Sequence, residues 1–142
     1  MRLNNEIQIN PKNWRLVNPA SQRAGSNWCA VRLYIYVDGK LISDYLGLEK
    51  SDFNADYVEV WTRRENRKNL FRIDSATPRY NNPVTKFAIK YDMDQSHESV
   101  YVDELPQVIS EFIGELREYF NIPDDISVKV TDMGFMYVRT NC

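Results

Sequence analysis

The sequence predicts an α+β fold, in which a mostly antiparallel twisted sheet is covered on one face by one main amphipathic helix. Two observations lead to it: several segments have a strand-like pattern, and one long helical periodicity runs over residues 103–120. The 142 residues are the length of one ordinary domain, and 43% of them are hydrophobic, which is enough for one core. We therefore expect residues 1–142 to form a single domain.

The strand pattern is clearest in the first third of the chain. "EIQIN" at 6–10 alternates and fits a short edge strand, and "AVRLYIYV" at 30–37 alternates over its whole length. In the second segment the odd-numbered apolar residues share one face, and Arg32, Tyr34 and Tyr36 share the other. This alternation predicts a strand with one buried and one polar side.

An Asp-Gly pair follows that strand at 38–39. Such a pair supplies the positive φ angles that a two-residue type I′ turn requires. "KLISDYL" at 40–46 is then the expected partner strand, and a two-residue loop would place Ile35 opposite Ile42. The segment therefore predicts a β-hairpin.

The middle of the chain is less uniform. Residues 51–69 leave helix and strand both open, because apolar residues recur at helical spacing although "YVEVWT" is rich in β-branched and aromatic residues. Residues 70–74 and 84–91 are predicted strands. Residues 126–131 and 135–140, joined by "DMG", predict a second hairpin.

Residues 103–120 are the main predicted helix, because their apolar residues recur every three or four positions. Asp103 is expected to cap its start, and Asn121 followed by Pro123 ends it. The opposite, polar side of this helix contains four glutamates: Glu104, Glu111, Glu115 and Glu118.

Charge is unevenly distributed along the chain. The formal net charge is −2, yet residues 92–125 contain ten acidic residues and one basic residue, Arg117. An ordinary solvated helix face explains such an excess equally well, but a negative patch can also attract and orient a basic partner. On the second interpretation the partner-binding residues are Asp92, Asp94, Glu98, Tyr101, Glu111, Glu115 and Glu118.

The acidic stretch at 91–106 holds the single histidine, His97. Asp92 and Asp94 begin like a calcium loop, with Asp103 at the twelfth position. However, His97 occupies the place where such a loop needs Gly, and the twelfth residue should be Glu. We therefore predict no metal site and interpret the stretch as a polar connector.

Catalytic patterns are equally weak in this sequence. His97 next to Glu98 has no second histidine to work with, and Cys29 lies in an apolar, strand-like run. The sequence has no nucleophile elbow, phosphate-binding loop or dinucleotide fingerprint. We predict a protein that is not an enzyme and has no cofactor.

A basic cluster supports a different interpretation, in which the chain binds nucleic acid. "RRENRK" at 63–68 lies between Trp61 and Phe71, and aromatics interleaved with cations can stack bases and bind phosphates. An isoelectric point near 5.4 weighs against a general nucleic-acid binder. The residues for this alternative are Arg63, Arg64, Arg67 and Lys68.

Two features bear on location. No run of 18 apolar residues is present, and "MRLNNEIQIN" lacks the apolar core of a signal peptide. We therefore expect a cytoplasmic protein without a membrane partner. The two cysteines agree, with Cys29 expected to be a buried small residue and Cys142 a tail thiol.

The segment "LYIYVDGKLISDYL", together with the small size, acidic character and α+β pattern, resembles the immunity proteins that accompany bacterial polymorphic and contact-dependent toxins. The resemblance covers residues 28–48. It implies tight binding to a cognate toxin, often a basic nuclease, whose active or substrate-binding surface would be occluded. The acidic residues at 92–125 suit such a partner.

Another class of inhibitor remains open. A phage-encoded inhibitor of a host defence complex would use the same acidic surface as a mimic of nucleic acid. The identity of the adjacent gene distinguishes these two interpretations.

Overall fold

The computed structural model describes most of the sheet and the whole main helix. The described residues are 4–17, 28–48, 56–63, 70–74, 86–87 and 100–139. Within them, nine strands form one mixed sheet. The strands are β1 Asn5–Gln8, β2 Arg15–Val17, β3 Trp28–Val37, β4 Lys40–Leu41, β5 Tyr57–Arg63, β6 Leu70–Asp74, β7 Val100–Tyr101, β8 Val128–Asp132 and β9 Phe135–Arg139.

Two α-helices and two 3₁₀ turns lie wholly within the described residues. Helix α1 spans Ile42–Tyr45 and helix α2 spans Leu105–Phe120, while Pro11–Asn13 and Val102–Glu104 form the 3₁₀ turns. Within the described residues no helix is both long and apolar enough to cross a membrane.

Strand β3 is the centre of the sheet. It pairs antiparallel with β5 on one side and with β8 and β9 on the other. Strands β5, β6 and β7 continue antiparallel, whereas β1 and β2 pair parallel with β8 and β9. The predicted α+β class and the mostly antiparallel sheet are confirmed, and β1 lies at an edge as expected.

The Asp-Gly turn forms as predicted, but the strand after it is short. Asp38 and Gly39 have φ angles of 55° and 75°, and Tyr36 pairs with Leu41. The chain then turns into α1, so the predicted pairing of Ile35 with Ile42 is wrong. Two interactions explain why: the Ile35 amide donates to the Asp56 carbonyl at 2.8 Å, and the amide of Ser43 in α1 donates to Asp56 Oδ1 at 2.7 Å.

The predicted C-terminal hairpin is also wrong, because β8 and β9 do not pair with each other. Both lie along the same side of β3, with Leu33 opposite Asp132 and Ala30 opposite Tyr137. Between these pairs, two residues of β3 face four residues of the segment that runs from β8 into β9. "DMG" is therefore a bulge within a broken strand rather than the turn of a hairpin.

Asp132 holds this bulge together with the N-terminal chain beside it. Its Oδ1 accepts a hydrogen bond from the Gly134 amide at 2.8 Å. Its Oδ2 accepts from the Asn10 amide at 2.8 Å and from Trp14 Nε1 at 2.7 Å. One carboxylate therefore fixes both the bulge and the 3₁₀ turn that separates β1 from β2.

The ambiguous middle segment contains a strand. β5 lies within 51–69, and β6 confirms the predicted strand at 70–74. Of the strand predicted at 84–91, only Lys86 and Phe87 are described, and their backbone is helical, so the prediction is wrong at these two residues. The rest of that segment lies outside the described residues.

Helix α2 covers one face of the sheet. Five of its apolar residues are buried and belong to the same core as the odd-numbered residues of β3. These five are Leu105, Ile109, Phe112, Ile113 and Leu116. Asp103 lies inside the preceding 3₁₀ turn and Glu104 is the N-cap without a side-chain cap hydrogen bond, so the predicted Asp103 cap is wrong. Asn121, with φ 55°, ends the helix as predicted.

Arg117 points from α2 into the protein and is 4% exposed. Its guanidinium donates to the backbone carbonyls of Pro123, Asn4 and Ile126 at 2.7, 2.9 and 2.8 Å. It also donates to Asn5 Oδ1 through two nitrogens, at 3.0 and 2.8 Å. This side chain therefore links α2 to the start of β1 and to the loop before β8.

Candidate functional site: an acidic helix face and an opposing sheet face

The outward side of α2 is acidic. Glu111, Glu115 and Glu118 are all exposed, and we call these three residues the acidic helix face. Their positions follow from the helical repeat, since the apolar residues between them turn inward toward the core. The predicted exposure of these three glutamates is confirmed.

No cation of the described residues neutralises the acidic helix face. The ion pair found in this part of the chain joins Arg32 and Glu59, which belong to the sheet. Arg117, the basic residue of α2, is directed inward to neutral oxygens. Gln107 Nε2 donates to Glu111 Oε1 at 3.5 Å, and this donor is neutral. The face therefore presents uncompensated negative charge to solvent.

An aromatic residue adjoins these glutamates at the end of α2. Tyr119 is 40% exposed, although the helical repeat predicts it on the buried face. Its ring lies 4.8 Å from that of Phe120 and 5.2 Å from that of buried Phe87. Tyr119 therefore has a partly exposed ring supported by two other rings, and partly exposed aromatic side chains are enriched as anchors at protein interfaces.

The other predicted partner-binding residues are not placed by the structure. Asp92, Asp94 and Glu98 lie outside the described residues. Tyr101 ends β7, and its backbone alone is described. The acidic helix face is thus the described part of the predicted surface.

The predicted nucleic-acid-binding cluster is likewise mostly outside the described residues. Arg63 is the last residue of β5, opposite Trp28 in the register. Arg64, Arg67 and Lys68 fall in the undescribed stretch between β5 and β6. The interpretation of this cluster therefore stays a prediction.

A second polar surface lies on the side of the sheet that α2 leaves uncovered. The even-numbered residues of β3 have register partners on β5 and β8 that share this side. We call this surface the outer sheet face. Its residues are Arg32, Tyr34, Tyr36, Tyr57, Glu59, Lys129 and Tyr137.

Arg32 is at the centre of the outer sheet face. Its guanidinium carbon lies 4.5 Å from the ring centroid of Tyr57 and 5.4 Å from that of Tyr137. Arg32 Nε lies 3.9 Å from Glu59 Oε1, and the Tyr137 hydroxyl donates to the same oxygen at 3.1 Å. The Glu59 side chain is 4% exposed whereas that of Arg32 is 35% exposed. A buried carboxylate and two rings therefore hold a cation that still reaches solvent.

Two pKa values reflect this packing. Burial of Arg32 disfavours its charged form, but interactions with Tyr137 and Tyr57 outweigh it, so the pKa of Arg32 is raised. Burial also raises the pKa of the Tyr57 hydroxyl, against an opposing effect of the Arg32 charge. Arg32 therefore stays a cation and Tyr57 stays neutral at ordinary pH.

Sequence patterns located part of this surface. The alternation of β3 placed Arg32, Tyr34 and Tyr36 on the polar side of the strand, and all three are half-buried there. Glu59 and Tyr137 were missed, because only the register of three strands brings them to Arg32. Alternation within "YVEVWT", interpreted as a strand, would have placed Glu59 on one face.

The described residues contain no group of three or more His, Cys, Asp and Glu side chains arranged to hold a metal ion. Cys29 is fully buried, as predicted.

Comparison of the chain with protein-family models, curated proteins and solved structures finds no match in any of the three. The resemblance to immunity proteins therefore stays a prediction.

Proposed function

We propose that this protein is a non-enzymatic inhibitor that binds a basic protein partner through the acidic helix face. In this proposal it is an immunity protein, and the partner is a bacterial toxin domain whose active or substrate-binding surface is occluded. The observation that supports it best is the set of three exposed glutamates with no described cation in ion-pair contact.

The geometry suits protein recognition. Glu111 and Glu115 are one helical turn apart, and Glu118 follows one turn later. The three carboxylates therefore form a rigid row that can meet a row of Lys and Arg side chains. Charges of this kind accelerate encounter and select the partner, while a desolvated aromatic supplies more of the affinity. Tyr119, adjacent to Glu118, is positioned for that second role.

The direct test uses the toxin domain encoded beside this gene. Association rates with the purified domain are measured for the wild-type protein and for the variant Glu111→Lys, Glu115→Lys, Glu118→Lys, at low and at moderate salt. We expect the reversal to slow association at least tenfold at low salt, and to remove most of the salt dependence of the rate.

A matched control changes the net charge equally at other exposed acidic residues. Glu6→Lys, Asp44→Lys and Asp125→Lys lie outside α2, and all three residues are exposed. If the control and the helix variant slow association equally, total charge rather than the acidic helix face controls binding. If the toxin domain neither binds nor loses activity in the presence of the wild-type protein, the immunity proposal is wrong.

A further inference from the structure

The outer sheet face contains a partly exposed cation, Arg32, held between two tyrosine rings. Within the described residues the buried Nε of Arg32 lacks an acceptor, while hydrogen bonding with Tyr137 and Tyr34 helps to raise the pKa of this guanidinium. Glu59 approaches the guanidinium on the Nε side. The two terminal nitrogens are therefore the groups that can reach solvent. A guanidinium presents these nitrogens as a planar fork that matches the oxygens of a phosphate.

This fork is oriented before any ligand arrives. Tyr57 and Tyr137 contact the guanidinium at 4.5 and 5.4 Å, and Tyr137 also binds Glu59. The side chain therefore loses little conformational freedom when it binds an anion. A buried partner that fixes the orientation of an exposed binding group is a common feature of prepared sites.

Aromatic rings and a second cation extend along the same face. Tyr34 lies next to Tyr57, with ring centroids 5.5 Å apart. Tyr36 is the register partner of Lys129, whose ammonium lies 5.9 Å from the Tyr36 ring centroid. From strand geometry, the backbone positions of Arg32 and Lys129 are about 14 Å apart. That separation exceeds one phosphate group, so the two cations would contact different, non-adjacent phosphates of one chain.

We propose that the outer sheet face binds single-stranded nucleic acid. Arg32 and Lys129 bind backbone phosphates, and Tyr34 and Tyr36 between them stack against bases. The acidic overall composition does not oppose this assignment, because the acidic helix face belongs to α2 on the other side of the sheet. The inference does not rest on the proposed function, since it concerns a different surface.

The test is fluorescence anisotropy with a labelled oligothymidylate of about 15 nucleotides, measured at about 50 and 200 mM salt. We expect Arg32→Gln to weaken binding at least tenfold and to reduce the salt slope by about 0.7. Arg32→Lys keeps a charge beside Glu59 but lacks the fork, so an intermediate loss is expected. Arg15→Gln, at an exposed cation of edge strand β2, is the matched control and should stay within twofold.

Tyr36→Leu provides a readout that does not disturb Glu59. Loss of one stacked base should weaken binding roughly fivefold or more at both salt concentrations. Circular dichroism establishes that each variant is folded. The proposal is overturned if wild-type protein does not bind the oligonucleotide at low salt, or if folded Arg32→Lys and Tyr36→Leu both bind like wild type. Equal competition by thymidine monophosphate or inorganic phosphate would overturn the assignment to a nucleic-acid chain.

Discussion

Replacement of Arg117 by Met tests how strongly this side chain holds α2 to the start of β1 and to the loop before β8. Methionine approximates the length of the side chain and keeps it apolar, but it removes every donor. Four oxygens then lose a partner: the carbonyls of Asn4, Pro123 and Ile126, and Asn5 Oδ1. A buried acceptor left without a donor costs about 1–3 kcal/mol.

The expected total is smaller than four times that range. Asn4 and Pro123 are exposed, so water can replace part of what their carbonyls lose. These two carbonyls also keep a second donor, the amides of Val128 and Ile126, so most of the cost comes from Ile126 O and Asn5 Oδ1, at about 1–3 kcal/mol each. We therefore expect Arg117→Met to lower the free energy of unfolding by about 3–5 kcal/mol. At about 3–4 °C per kcal/mol for a domain of this size, the midpoint should fall by about 9–20 °C.

The assay is urea denaturation followed by circular dichroism, with amide hydrogen exchange as a local measurement. The Val128 amide donates to the Asn4 carbonyl at 3.0 Å, so its exchange should accelerate more than that of amides in the middle of β3. Arg117→Lys, which keeps the charge without the planar fork, should lose about half as much stability. Glu118→Gln, on the exposed side of the same helix, should stay within about 0.5 kcal/mol. A loss below about 1 kcal/mol for Arg117→Met would refute the reasoning.

Two further predictions concern Asp132 and Tyr57. Asp132→Ala should lower the free energy of unfolding by about 2–4 kcal/mol. It should also red-shift the fluorescence emission of Trp14, which is 8% exposed and donates to this carboxylate. Emission that is unchanged relative to an Asp125→Ala control would show that Asp132 does not hold the indole. Because the pKa of Tyr57 is raised above 10.0, the folded state keeps the hydroxyl proton more tightly than the unfolded chain does. The contribution of Tyr57 to stability is therefore complete below pH 10 and declines as pH rises through the folded pKa. Tyr57→Phe should therefore show a smaller loss of stability than wild type in denaturation above pH 10, and identical pH profiles would contradict the assignment.

Local patterns predicted the elements of this fold better than their pairing. The helix, the Asp-Gly turn and the polar side of β3 depend on residues close in sequence, and all three are observed. The prediction of a C-terminal hairpin was wrong although "DMG" has the composition of a turn. The reason is that β3 is ten residues long and can pair with both β8 and β9 along one side. A turn signal specifies a local bend but not the partner of the strand that follows it.

The two surfaces differ in the same way. The acidic helix face could be predicted because one helical repeat determines it. Around Arg32, by contrast, Tyr57, Glu59 and Tyr137 come from two other strands. The same repeat predicts Tyr119 on the buried side, yet Tyr119 is 40% exposed, because a repeat predicts the direction of a side chain but not where the core beneath it ends.

The pairing of β1 and β2 with β8 and β9 has a consequence for how this chain folds. Trp14 and its partner Asp132 are 118 residues apart, so the described partners of β1 and β2 become available only after β8 and β9 are made. Strand pairing across such a separation is slow, since the entropy of closing a long loop is lost before any contact compensates it. During synthesis, at about 5–20 residues per second, these strands stay unpaired for roughly 6–25 s. The order of events is therefore reversed with respect to the sequence: β1 and β2 are made before β3 but join the sheet after it.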